Sequence, residues 1–536
     1  MSQFQTGIPI LDSIALNSKM EPEVSMKNRG FKNVCAAVLL PALLAAGFSG
    51  CGGKASPAVQ AEDGDALKMK EGGDLVFGVA TELNNFDPFT SLTADVRAVN
   101  FNIFEGLVKV SDDGGFVPAL ASAYEVSPDA KKYTFTLRSG VKFHDGRDVT
   151  AEDVRWSLQH AIDKKLAGYD NIKEYSFDGD KLSVMLGEPD TGFIARMTAA
   201  VVPAGSTDLA LHPVGTGPFK FVEYEEQDHI KLVKNESYWG TPAHLDSVTV
   251  KFESSQAGLV LSFQAGTIDG FNASADTISQ LDESSMRKYL TNSNTVQLLA
   301  LNNDFGPFQN ADVRRALNYL VNSEEIIAMV NYGYGAKLGS GLIPNLAKYY
   351  DSSLSSVYDR DVDKAKELLQ KAGYGDGFSF TITVPSNYTV HVRTAEVIVN
   401  ELASAGIDAK IRQVDWATWL QNVYKGRQFE ATVVSLDGSI AYPTAFLSRY
   451  VSSSGKNFIN FKSAAYDAAY ISAEESVDEA QQVEGFKKAQ QILNSEAASV
   501  WIQDIAEFTV YNKKFAGTRH YPLYVSDYSA IYQVED

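Results

Sequence analysis

An α/β architecture spread over about three folding units is what the sequence predicts, and three observations carry that reading. The chain has 536 residues, and domains run to roughly 100–200 residues each. It is 45% hydrophobic and 11% aromatic, with 25 Tyr and 29 Phe, which is ample for a large packed core and too apolar for a disordered chain. Period-2 strand patterns alternate with helical patterns along the whole length, leaving no all-α or all-β half.

Charge narrows the partners. With 47 Lys+Arg against 67 Asp+Glu the net charge is −20, so the chain as a whole does not attract phosphate backbones or anionic headgroups, and nucleic acid is not expected as a partner.

The first element is an apolar run at residues 34–48, shorter than the ~20 residues a spanning helix needs. Lys27, Arg29 and Lys32 precede it and Ser49 and Gly50 follow, the basic, apolar and small-residue regions of a secretory signal. Met26 is the natural start, and residues 1–25 an upstream extension. Phe48-Ser49-Gly50-Cys51 resembles the bacterial lipoprotein box, with Phe48 where Leu is usual, and the resemblance implies lipidation at Cys51. A soluble secreted protein cut near the same place is the alternative. The Gly/Ser/Ala-rich residues 51–72 then form a flexible tether. With Cys35 removed in the signal and Cys51 lipidated, the mature chain keeps no thiol for a disulfide or a nucleophile. Residues 1–50 carry four Lys/Arg and three Asp/Glu, so the exported body holds 43 against 64, a net −21.

The body opens with a strand at 74–79, the turn Asn84-Asn85-Phe86-Asp87-Pro88 and a helix expected over 94–107. An alternating strand at 133–138 leads through a Gly140 turn to a helix at 151–163, opened by Thr150 with Asp153 three residues on, an acidic capping box. Gly215-Thr216-Gly217-Pro218 feeds a hairpin of 219–224 and 230–233, followed by a strand at 248–252 and a helix over 255–264. Helices are expected at 313–321, 323–329 and 363–372, the last closed by Gly373. Strand 378–384, helix 394–405 and strand 409–414 form a β-α-β unit.

No catalytic constellation appears. None of the seven His stands at the i, i+4 spacing of a helical zinc site, Gly-x-Ser-x-Gly is missing, and Ser452-Ser453-Ser454-Gly455-Lys456-Asn457 lacks the first Gly and the last Ser/Thr of a phosphate loop. Carboxylate pairs are too numerous to single out a glycosidase dyad. Many Tyr, Trp and Asn in loops, with no nucleophile beside a base, suit a pocket that holds a small molecule unchanged. No cofactor is expected.

From about residue 73 onward a series of landmarks follows in order: Phe86-Asp87-Pro88, Ile103-Phe104-Glu105-Gly106-Leu107, Phe143-His144-Asp145-Gly146, Gly215-Thr216-Gly217-Pro218-Phe219, Tyr238-Trp239 and Val313-Arg314-Arg315-Ala316-Leu317. In these, and in their order, the chain resembles the bacterial extracellular solute-binding proteins of family 5, the peptide/nickel-binding type serving ABC importers. The resemblance implies the two-lobed periplasmic-binding-protein fold (class II-like, cluster C) with an extra α/β subdomain. Carried onto this chain, 73–107, 212–298 and 508–536 are lobe I, 108–211 the extra subdomain and 299–507 lobe II. A monomeric, lipid-anchored extracytoplasmic receptor is implied, closing on an organic solute between the lobes and passing it to an ABC permease. An oligopeptide or dipeptide is the first expectation. A nickel chelate, haem or sugar is the alternative, with His391 or His212 completing a chelated metal. A secreted hydrolase or a surface adhesin are the readings from other classes.

Peptide-binding members supply an Asp before a Pro to the ligand's ammonium group. Aligned on Pro443, that position is Ser439, which carries no charge. Asp437 either replaces it or closes an Asp-Gly turn with Gly438. The family's pattern also points to Trp416 and Trp419 as aromatic walls, one of the two belonging to the core, to Tyr442 and Asn457 as cleft positions, and to Arg449 as partner of a ligand carboxylate. His144 is read as a satisfied turn residue.

Overall fold

The computed structural model describes residues 67–90, 94–166, 168–438 and 440–535. The extension and signal expected at 1–50, Cys51 and Ser439 lie outside the described residues.

A 13-residue strand, Val500–Asn512, joins the two halves of the molecule. Its first part pairs antiparallel with Thr295–Leu301 and Gly335–Lys337, its second with Gly270–Ser274 and Met286–Asn292. On one side the sheet continues through Ala431–Asp437, Ser379–Pro385 and Asp408–Val414, and on the other through Asp74–Val79, Ser247–Phe252, His229–Lys234 and Phe219–Glu225. The architecture is the expected two-lobed α/β fold. Its interior strands are nearly continuous apolar runs, as strands covered on both faces must be.

The β-α-β unit is present: Ser379–Pro385 and Asp408–Val414 are parallel, and helix Thr389–Ala403 between them buries Ala395, Ile398 and Leu402. Helix Val362–Lys371 begins at Asp361, whose carboxylate accepts from the Lys364 N–H at 2.8 Å, and stops at Gly373 with φ +84°. A four-stranded antiparallel sheet, Ala121–Val126, Lys132–Leu137, Lys181–Leu186 and Ile172–Asp178, stands apart from the large one. Helix Ala151–Asp163 packs Val154, Leu158 and Ala161 into the cluster that holds Tyr133, Phe135, Leu182 and Val184 from this sheet. Its capping box forms, with Asp153 accepting from the Thr150 N–H at 2.8 Å.

Three expectations need correction. The helix expected over 94–107 ends at Asn100, because the chain turns inward there to bury Phe104 and Glu105, and a Cβ on Gly106 would strike the backbone at Met197 and Thr198. The tether expected at 51–72 lies outside the described residues up to 66, and at its far end Met69–Lys70 is not free chain but pairs with Tyr532–Val534. The crossing expected at 298 falls at Ser293 and Asn294, because Thr295–Leu301 already pairs along its whole length with Ala431–Asp437. Asn294 takes φ +56° to make the turn, a conformation Asn tolerates better than most residues.

His144 is a satisfied turn residue. Its Nδ1 accepts from the Gly215 N–H at 3.3 Å and its Nε2 lies 3.0 Å from Gly217 O, a pattern only the neutral ring with its proton on Nε2 completes. Burial holds its pKa down at about 4.

Candidate ligand-binding cleft

A cavity of about 730 Å3 opens where the two halves meet. Asn100, Phe101 and Tyr238 line it from the first half, Asp437 and Gly438 from the second, and Asn294 and Glu507 from the two crossing segments. That volume falls within the ~300–1,000 Å3 of small-molecule sites.

The first-half wall is fixed by a buried carboxylate. Glu105 accepts from Trp239 Nε1 at 2.6 Å, Tyr238 OH at 2.7 Å and Thr216 Oγ1 at 3.2 Å. Burial raises its pKa, against the pull of those donors. The backbone behind it is close-packed: a Cβ on Gly215 would strike Ile103 O, and one on Gly217 would strike Asn102 O. Arg138 lies over the Trp239 ring at 4.2 Å, so the indole is held on its face as well as at its N–H.

The crossing segments meet at Asp504, which is 0% exposed. Its Oδ1 accepts from the Thr295 N–H at 3.0 Å and from Ser293 Oγ at 3.3 Å, while Oδ2 has no partner among the described residues. Burial raises its pKa to about 8. The unfolded chain loses this proton near pH 4, so between those values the folded state binds the extra proton and stability falls as pH rises. Asp504→Asn mimics the neutral acid. It should therefore flatten the decline in melting temperature between pH 6.5 and 8, by at most about 1.4 kcal/mol per pH unit for one proton. A decline as steep as in the wild type would show that Asp504 is ionised in the fold.

The residues singled out from the sequence scatter. Asp437 reaches the cavity, is exposed, and accepts no hydrogen bond with its carboxylate among the described residues. Gly438 beside it is needed because a Cβ would strike the Phe446 ring. Arg449 is brought to the same loop, but its Nη2 donates to Asp437 O at 2.6 Å, and its Nη1 lies 3.5 Å from Tyr424 OH. It fixes the loop that presents Asp437. Trp416, 40% exposed, stacks on Trp419 at 5.0 Å and 9° with Tyr388 edge-on at 5.5 Å. It follows strand Asp408–Val414, so with Asp437 it stands at the carboxyl edge of parallel strands, where open α/β sheets place their ligands. Trp419 is the core member of the pair, 2% exposed and donating from Nε1 to Thr432 Oγ1 at 2.9 Å. Tyr442 is buried, with its hydroxyl 3.3 Å from Thr191 Oγ1. Asn457 is buried too and tied to Phe461 through Nδ2–O at 2.7 Å and N–Oδ1 at 3.2 Å, an internal turn. Neither Tyr442 nor Asn457 lines the cavity. His391 is buried against Gln297 with its pKa held at about 4, and His212 pairs with Asp208 on the surface. Neither lines the cavity.

Glu507, Glu105 and Asn100 were missed. Glu507 and Asp504 had a signal, two acids inside the otherwise apolar run 500–511, where an uncompensated charge is costly. Glu105 sits inside a landmark with nothing local to mark it as a hydrogen-bond centre.

The family model for bacterial extracellular solute-binding proteins, family 5 Middle, matches residues 115–458. Heme-binding protein A of Haemophilus influenzae is 28% identical over 463 residues, covering 78% of this chain and 83% of that protein. Glutathione-binding protein GsiB of Salmonella typhi is 31% identical over 360 residues, covering 64% and 70%. Among solved structures, the periplasmic binding protein DppA from Helicobacter pylori, in complex with the peptide STSA, superposes with a TM-score of 0.70 at 27% identity, over 87% of this chain and 99% of that one.

Proposed function

The chain belongs to the bacterial extracellular solute-binding proteins of family 5, and from that premise we propose that it captures an oligopeptide or dipeptide in the interlobe cavity. It is an extracytoplasmic solute-binding protein of an ABC importer, and it binds its solute without transforming it. The observation that supports the peptide reading is the cavity itself, of organic-solute size, with one wall from each half and Asp437 presented at its edge. Asp437 is the second-half contribution to recognition, with Arg449 holding its loop; Trp416 stands at the same sheet edge, outside the cavity lining. Tethering through a lipid on Cys51 belongs to the same proposal and is supported by Phe48-Ser49-Gly50-Cys51 after the apolar run. The lobes are proposed to divide as 73–107, 212–298 and 508–536 against 299–507, adjusted at the Ser293 crossing, with 108–211 as the subdomain.

A thermal-shift screen of short peptides, glutathione, sugars, haem and nickel complexes tests this reading. A ligand that binds only the native state at a hundred times its Kd adds about 2.7 kcal/mol. At about 2.1 cal/mol/K per residue over some 470 residues, that is a rise of roughly 2–3 °C. Peptides should give the shift. A shift with haem or a nickel complex alone would replace the peptide reading within the family, and no shift from any class would sink it.

A further inference from the structure

Resting on that solute-binding reading, we propose that Glu507, on the strand shared by the two halves, is a specificity-determining residue that takes the ammonium group of the ligand. Glu507 sits mid-sheet, opposite Ser274 on one side and Thr291 on the other, yet it lines the cavity. Its backbone carbonyl accepts from Thr291 Oγ1 at 3.1 Å, but among the described residues no donor reaches its carboxylate. Glu507 is half-buried, and a carboxylate partly withdrawn from water without a partner is costly. Its surroundings add to that cost. The titratable groups facing it are Asp95 from helix Ala94–Asn100, Asp504 from its own strand and Tyr524 from the C-terminal segment, whose hydroxyl donates to Asp95 Oδ1 at 3.1 Å; Arg97 lines the same cavity. Burial first, and the Asp95 charge second, raise the Glu507 pKa to about 7.

A second observation points the same way. Asn100 also lines the cavity, is 8% exposed, and donates from Nδ2 to Phe86 O at 3.0 Å, which fixes the orientation of its amide. Its Oδ1 is left as a buried acceptor with no partner among the described residues. Asp437, exposed on the opposite wall, is a third acceptor, with no donor among the described residues. An ammonium group carries donors and no acceptor, so it suits these three positions, whereas a ligand carboxylate or phosphate is repelled by them. Two cations of the lining are already placed: Arg519 lies 3.8 Å from Asp527 and Lys109 lies over the Trp239 ring.

The test is calorimetric titration of the full chain with tri-alanine, N-acetyl-tri-alanine and putrescine. Amine-bearing probes should bind, and acetylation should weaken binding at least tenfold. Glu507→Gln should weaken the amine probes at least tenfold, Glu507→Asp should recover part of the loss, and Asp437→Asn should change affinity less than Glu507→Gln. Putrescine should bind about eightfold more tightly at pH 7.5 than at pH 6 as Glu507 ionises, a dependence absent from Glu507→Gln. Unchanged amine affinity in a folded Glu507→Gln, or equal affinity for the acetylated peptide, overturns the assignment. If the acetylated peptide binds and the amines do not, Glu507 falls while the peptide-binding reading stands. If glutathione, sugars, haem and nickel complexes also give nothing, both fall.

Discussion

Glu105→Ala is expected to lower the stability of the chain by about 3–5 kcal/mol, because it removes the shared acceptor of three hydrogen bonds at once. The Trp239 indole N–H, the Tyr238 hydroxyl and the Thr216 hydroxyl all converge on this carboxylate, and Thr216, 0% exposed, is left without an acceptor when it is removed. With an unfolding entropy of about 1 kcal/mol/K for a body of this size, the melting temperature should fall roughly 3–5 °C. Glu105→Gln, which keeps the volume and one acceptor, should lose less. Since Glu105 and Tyr238 both line the cavity, ligand affinity should fall with stability. A melting temperature within 1 °C of wild type would mean that the three donors find other partners.

The second large effect is at Arg314. Its guanidinium is buried and donates to Phe308 O at 2.6 Å, Glu496 O at 2.9 Å and Ala497 O at 3.0 Å, joining the turn before helix Ala311–Leu320 to the end of helix Glu479–Ser495. Burial pulls its pKa down to about 10, still far above neutrality, so it remains charged. Arg314→Met keeps the apolar stem but leaves three carbonyls without a donor, a loss of about 3–4 kcal/mol. Arg314→Lys should rescue only part of this, since one ammonium cannot span the positions that the planar fork reaches. Full rescue by Lys, read by differential scanning calorimetry, would show that charge alone matters there.

Both residues explain what was legible in the sequence. Glu105 belongs to the stretch 103–107, Thr216 to 215–219 and Tyr238 and Trp239 to a third stretch, and all three meet on one carboxylate. His144, from a fourth, bridges Gly215 and Gly217. Four of the landmarks that carried the family resemblance are thus the internal wiring of one wall, and they read clearly because tight backbone approach and buried hydrogen bonding restrict residue type. Strand and helix positions were legible for a similar reason, since burial imposes its period on the chain. The ligand site was not. Asn457 and Tyr442 are polar and aromatic loop residues like those of any cleft, but Asn457 closes a turn on Phe461 and Tyr442 packs against Tyr349. Nothing local separates such residues from Asp437, which faces the cavity only because the Arg449 bond to its carbonyl and the Phe446 ring beside Gly438 set the path of the loop. Glu507 was hidden differently. Its strand reads as core, and the cavity that reaches it exists only once both halves are assembled.

The strand shared by both halves follows every other strand of the large sheet in the chain. Val500–Asn512 supplies an interior rung on either side, and Tyr532–Val534 captures Met69–Lys70, near the start of the body. Without residues 500–534 the chain can complete neither sheet, and contacts this distant in sequence form slowly. Both sheets are therefore closed by one segment, and neither can be finished before it arrives.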